Sequence, residues 1–147
     1  IGAAKFLGHG FKGSIIKGEK PKSDLLKTAS LYLHSPYLWG GKTPMGIDCS
    51  GLTQMIYRIN GYSIPRDAAQ QVELGETLSF IDESEVGDLA FFDDENGNII
   101  HVGLLIGNNY ILHAHGEVRI DRIDQTGIYN VETKRHSHNL RLIKKLI

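Results

Sequence analysis

The hydrophobic period changes once along this chain, and that change limits what the chain can fold into. Leu52, Met55, Ile56 and Ile59 form the i, i+3, i+4, i+7 stripe of an amphipathic helix. Beyond residue 86 the pattern differs: 89–92, 99–106 and 110–115 are short β-prone runs separated by turn signals. The predicted turns are Glu95-Asn96-Gly97-Asn98 and Gly107-Asn108-Asn109, because Asn and Gly tolerate positive φ. Residues 119–123 and 140–147 add further predicted strands. Helices first and an antiparallel meander after them predict an α+β domain, with N-terminal helices packed on a central antiparallel sheet.

Punctuation residues give the boundaries. Ser23 is a predicted cap for a helix carrying Leu25, Leu26, Ala29, Leu31 and Leu33, which ends near Ser35-Pro36. Tyr37 to Pro44 is turn-rich and lets backbone approach a ligand. The striped helix starts at residue 49 or 50 and stops at Asn60-Gly61. A short helix is expected from Ala68 to about Leu74. Residues 1–22 are Gly- and Lys-rich with weak periodicity and are read as a loop or short strand ahead of a domain at 23–147.

The 147 residues fit one domain that needs no disulfide or metal to hold a core. No apolar run approaches the length of a membrane span. The sequence starts without Met or a signal peptide, as expected of a processed or excised piece. Net charge is −1, yet residues 134–147 hold five Lys or Arg and no acid. Such a basic edge is a solvated surface or a contact for a polyanion. Nothing in the sequence calls for a nucleic-acid partner.

The chain has one Cys, which rules out an internal disulfide and a Cys-rich zinc site. A structural Cys belongs on an apolar stripe, but Cys49 precedes Leu52 by three residues and sits at the predicted helix start. There, unpaired N–H groups and the helix dipole favour a thiolate and can receive an oxyanion. Ser50 and Gly51 are small enough to leave room beside the sulfur. A base is offered by His101 and His113 on neighbouring predicted strands. A three-residue loop at 107–109 pairs residue 101 with 115 and 103 with 113, which makes His113 a diagonal neighbour of His101. Gly103 then leaves space for the His113 imidazole. His9, His34, His136 and His138 lie in polar or terminal segments and are expected at the surface.

These segments together resemble the NlpC/P60 peptidase family. The resemblance is carried by Pro36-Tyr37-Leu38-Trp39-Gly40-Gly41, Asp48-Cys49-Ser50-Gly51-Leu52, Pro65-Arg66-Asp67, Gly87 to Phe92, His101 to Leu104 and Ile111 to Ala114. It implies a papain-like α+β fold and cleavage of peptidoglycan stem peptides at the γ-D-glutamyl-diamino-acid bond, in the cell envelope and without a cofactor. It makes Cys49 the nucleophile, His101 the base and acid, and His113 the residue that orients His101. Tyr37 resembles a tyrosine lining the oxyanion site. Asp48, Ser50, Trp39 and Arg66 resemble substrate-contacting residues, Asp48 through a free amino group. Relatives carry Ser where this chain has Ala68, so one substrate hydrogen bond is expected to be missing. Many relatives also carry SH3-like modules upstream, of which residues 1–22 are at most a remnant.

Two other readings fit the same residues. His101, His113 and His115 with Glu117 offer enough ligands for a zinc-dependent hydrolase. An inactive relative would bind the wall without cutting it.

Overall fold

A computed structural model describes residues 20–147, so His9 and most of the predicted N-terminal extension lie outside the described residues. Helix α1 spans Asp24–Ser30, and a short hairpin β1 (Lys42–Thr43) and β2 (Gly46–Ile47) precedes helix α2, Cys49–Ile59. Helix α3 (Ala68–Gln71) and strand β3 (Glu76–Leu78) follow. The remaining strands are β4 (Leu89–Asp93), β5 (Ile99–Gly107), β6 (Tyr110–His115), β7 (Glu117–Ile123), β8 (Gly127–Asn130) and β9 (Arg135–Lys145).

The α+β expectation holds, but the sheet is not an open central layer. Strands β4 to β7 form an antiparallel meander, β8 follows, and β9 pairs with both β8 and β4. The sheet thus closes on itself as a barrel, with β3 extending the β8 edge of β9. Closure removes exposed strand edges. It also buries both faces of β4, which is why Leu89-Ala90-Phe91-Phe92 is a continuous apolar run and does not alternate.

Two cores result. Leu89, Phe91, Val102, Leu104, Leu112 and Val118 face the helices and pack with Leu25, Leu52, Ile56 and Tyr57. Ala90, Phe92, Leu105, Ile111, Ile123, Ile128 and Ile143 fill the barrel interior. The buried Tyr57 hydroxyl donates to the Gly87 carbonyl at 2.6 Å, tying α2 to the entry of β4.

Helix α2 runs where the stripe predicts. Helices α1 and α3 are shorter than expected: Ser23 makes no side-chain cap, and Leu31 is 72% exposed beyond the helix end. The β5–β6 connection is a two-residue turn, Asn108-Asn109, both with positive φ, plus a bulge between Leu105 and Gly107. The bulge offsets the shorter loop, so the pairing of Leu104 with Leu112 continues the expected register. Lys20 and Lys22, at the end of the predicted extension, touch this domain: Lys22 Nζ pairs with buried Asp88 at 2.6 Å, and the Tyr62 hydroxyl donates to the Lys20 carbonyl.

Candidate active site

Asp48 starts α2. Its Oδ1 accepts from the Gly51 N–H at 2.7 Å, which satisfies one of the free donors of the first turn. Its Oδ2 accepts from the Gly40 N–H at 2.9 Å and from Arg66 Nη2 at 2.8 Å. Burial alone would raise this carboxyl, but the Arg66 and backbone hydrogen bonds outweigh it and hold the group below its usual range. Arg66 Nη1 also donates to Ser50 Oγ at 2.9 Å. Asp48, Ser50 and Arg66 therefore bind one another, and Asp48 has no uncommitted oxygen. The expected room beside Gly51 is already filled: a Cβ there would meet the Gly41 carbonyl oxygen at 2.5 Å.

Cys49 is the first residue of α2 and is half-buried. Burial pushes its thiol up and the neighbouring Asp48 carboxylate adds to this, while the N–H groups of Val102, Ser50 and Cys49 itself oppose it. The helix start favours a thiolate as expected, but burial outweighs it.

The barrel side supplies imidazoles. His101 on β5 and His113 on β6 are buried, with His101 Nε2 and His113 Nδ1 2.9 Å apart. A Cβ on Gly103 would meet the Ile111 side chain first, at 2.6 Å, and His113 Cβ at 3.0 Å, so the missing side chain makes room for Ile111 as well as for His113. Burial first, with neighbouring imidazoles, drives His101 well below its ordinary value. His113 is lowered by burial against the opposing pull of Asp121.

Cys49 and His101 open onto one cavity of about 260 Å³, shared with Tyr37, Trp39 and His115. A larger cavity of about 630 Å³ continues on the other side of Cys49, past Asp48, Arg66, Ala68 and Ile100. Both are lined by Tyr37 and Trp39, the latter 85% exposed at the mouth. Every sequence-predicted site residue thus lies at this cleft or, for His113, directly behind it.

Sequence reading missed four residues. Gln71 is fully buried and locks α3 to α2 by donating to the Ser50 and Pro65 carbonyls and accepting from Thr53. Asp121 lies 2.8 Å from His113 Nε2 and is held by Arg119. His138, expected at the surface, stacks on His101 with ring centroids 4.2 Å apart and interplanar angle 21°. Counting back two residues from Leu140, which packs on the barrel interior, would have put His138 on that inward face.

The zinc reading called for His101, His113 and His115. Among the described residues the grouping that forms is instead His101, His113 and His138, with ligand atoms within 4.8 Å of one another. Its geometry is poor for a metal. Imidazole lone pairs lie in the ring plane, and the near-parallel His101 and His138 rings cannot both aim at one point between them. Both nitrogens of His113 are already engaged.

The NlpC/P60 family model matches residues 34–137, a span that holds the cleft and both imidazoles. The chain belongs to the NlpC/P60 family. A gamma-D-glutamyl-L-lysine dipeptidyl-peptidase of Bacillus subtilis is 45% identical over 93 residues, covering 62% of this chain and 31% of that protein. Dipeptidyl-peptidase 6 of Lysinibacillus sphaericus is 38% identical over 107 residues, covering 71% of this chain and 37% of that protein. The chain therefore spans about a third of these curated relatives. A solved NlpC/P60 family protein from Bacillus cereus superposes with a TM-score of 0.73 at 29% identity, covering 89% of this chain and 41% of that one. The NlpC/p60 domain of peptidoglycan hydrolase SagA gives 0.68 at 25% identity, covering 86% of this chain and 99% of that one.

Proposed function

We propose that this chain is a cysteine endopeptidase that hydrolyses the γ-D-Glu–diamino-acid bond of peptidoglycan stem peptides in the cell envelope. The observation that carries the reading is Cys49 and His101 opening onto one cleft, with His113 hydrogen-bonded behind His101. His101 takes the Sγ proton as the sulfur attacks the γ-carbonyl carbon of D-Glu. The tetrahedral oxyanion is received by the Cys49 N–H and the Tyr37 hydroxyl. His101 then protonates the leaving amine of the diamino acid, and a thioacyl-enzyme remains. Water, deprotonated by His101, releases the acid product and restores the thiol.

The Asp48–Arg66–Ser50 cluster bears on recognition. Because the Asp48 carboxylate is shared with Arg66, a substrate amino group would compete with a guanidinium for it. Trp39 offers an exposed apolar wall to the stem peptide. The names of the Bacillus relatives support a γ-glutamyl bond to a diamino acid. One structural relative, RipD of Mycobacterium tuberculosis, is described as a non-catalytic domain adapted to peptidoglycan binding, and it shares the fold at 20% identity.

The test is release of L-Ala-γ-D-Glu from L-Ala-γ-D-Glu-L-Lys and from its diaminopimelate counterpart. Cys49→Ala should abolish release, a loss of about 10⁴-fold or more, with an unchanged melting temperature. Cleavage that survives in Cys49→Ala, and falls on chelation, would return the function to the imidazoles and a metal. Peptidoglycan binding without any release would make the chain a binding module.

A further inference from the structure

Behind His113 the polar chain does not end. Asp121 on β7 is 1% exposed, and its Oδ2 lies 2.8 Å from His113 Nε2. Arg119 grips the same carboxylate with both arms, Nε to Oδ2 at 2.8 Å and Nη2 to Oδ1 at 3.1 Å. Arg119 is itself steadied by Glu132 and Asn130. The strand register explains the line. His113 is directly opposite Arg119, so Asp121 is its diagonal neighbour, as His113 is to His101 on the other side. Two diagonal steps across β5, β6 and β7 make one continuous hydrogen-bonded row inside the barrel rim.

We propose that Asp121, fixed by Arg119, is a positioning residue that sets the tautomer of His101 through His113. An ionised carboxylate only accepts hydrogen bonds. His113 Nε2 must therefore carry the hydrogen that points at Asp121. A neutral imidazole has one N–H, so His113 Nδ1 is left as an acceptor. His101 Nε2, 2.9 Å away, must then donate to it. That leaves Nδ1 of His101 as its basic nitrogen, the one nitrogen free to take the Cys49 proton. Burial keeps both imidazoles neutral before reaction, as the relay requires. Burial would by itself raise the Asp121 carboxyl, but hydrogen bonds from His113 and Arg119 hold it down to about 2, so it stays an acceptor at any working pH. No proton travels along the row. When His101 becomes an imidazolium its Nε2–H still points at His113, and the carboxylate beyond favours the new charge.

The catalytic consequence rests on the peptidase reading above; the tautomer does not. The first measurement is therefore the ¹⁵N spectrum of histidine-labelled Cys49→Ala at neutral pH, where no thiolate–imidazolium pair can form. The expected result is the Nε2–H form for both His101 and His113. A cationic His113, or His101 protonated on Nδ1, overturns the proposal whether or not the wild type cleaves any peptide. The second measurement is Asp121→Leu, which keeps the number and branching of the side-chain heavy atoms and removes the acceptor. In the folded variant kcat on L-Ala-γ-D-Glu-L-Lys should fall on the order of 10²-fold with KM within about threefold. Introduced into Cys49→Ala, the same change should give mixed tautomers at His113 and His101. A structural role alone would lower the melting temperature and leave both the tautomers and the kcat of the folded fraction unchanged; that outcome refutes the proposal. If Asp121→Leu does not fold, the Cys49→Ala spectrum decides alone.

Discussion

The two sides of the cleft are built on opposite plans. The helix side is local: Asp48, Cys49, Ser50 and Gly51 are consecutive, and the cap that positions the thiol spans three residues. The barrel side is non-local: His101, His113, Asp121 and Arg119 come from three strands, and His138 arrives from a fourth. On the helix side charge is compensated, with Asp48 held by Arg66 beside a thiol pushed up by burial. On the barrel side the Asp121–Arg119 pair lies behind three imidazoles that burial keeps neutral. In the proposed reaction a proton would therefore cross from a reluctant acid to a reluctant base. Such a pair suits proton transfer that is driven when substrate fills the cleft, rather than an ion pair preformed at rest.

The largest effect that could break this comparison is in thiol reactivity. If burial governs Cys49 at rest, its alkylation by a small neutral reagent should rise roughly tenfold per pH unit and still be climbing at about pH 9. A rate that stays flat into mild acid would show that His101 already shares the proton, which erases the contrast between the two sides.

Next in size is the loss of the helix-side clamp. Asp48→Ala removes the α2 cap and leaves Arg66 without its carboxylate. We expect a cost of about 2 kcal/mol, or roughly 5 °C in melting temperature. The thiol should also become easier to ionise, since the Asp48 charge opposes it. An unchanged alkylation profile would remove Asp48 from the electrostatics of Cys49.

The barrel side should reveal itself in stability against pH. Burial holds His101, His113 and His138 below their ordinary value, His138 at about 4. The unfolded chain binds protons at these positions from about pH 6.5 downward and the folded chain does not. Stability is thus fullest above that pH and is lost as pH falls toward the folded values. His115 and Arg119 discourage protonation of His113, and Asp121 favours it. Asp121, with its own value depressed to about 2, adds a further loss from about pH 4 downward. His138→Phe keeps an aromatic plate over His101 and removes one titrating group. The fall in melting temperature between pH 7 and 5 should become shallower by roughly a third. An unchanged fall would mean that the fold does not hold His138 neutral.

The smallest effect is at the far end of the larger cavity. Ala68→Ser places a hydroxyl at the first residue of α3, beside the cleft. One added hydrogen bond of about 1 kcal/mol should lower KM about fivefold with little change in melting temperature. An unchanged KM would show that substrate does not reach α3.

The sequence by itself determined what depends on neighbours along the chain. The stripe from Leu52 to Ile59 placed α2 to within a residue of its start at Cys49, whereas the capping role of Asp48 shows only in its hydrogen bond to the Gly51 N–H. The strands from Leu89 to His115 were legible because their turns carry Asn and Gly, and the 101–113 diagonal followed from counting residues. The true turn at Asn108-Asn109 is one residue shorter than expected and a bulge makes up the difference, so the count survived.

Tertiary structure decided what depends on closure. Only the pairing of β9 with both β4 and β8 turns the sheet into a barrel, and that closure carries His138 over His101. A polar stretch such as His136-Ser137-His138-Asn139 looks solvated until a strand from the far end of the chain folds against the site. The same holds for Asp121: its alternation with Arg119 and Ile123 gives it a face, but only the register with β6 sets it behind His113. Burial, which moves the thiol up and the imidazoles down, is a property of the assembled barrel and its helices, because desolvation is produced by whatever the fold packs around a group and not by its neighbours in sequence.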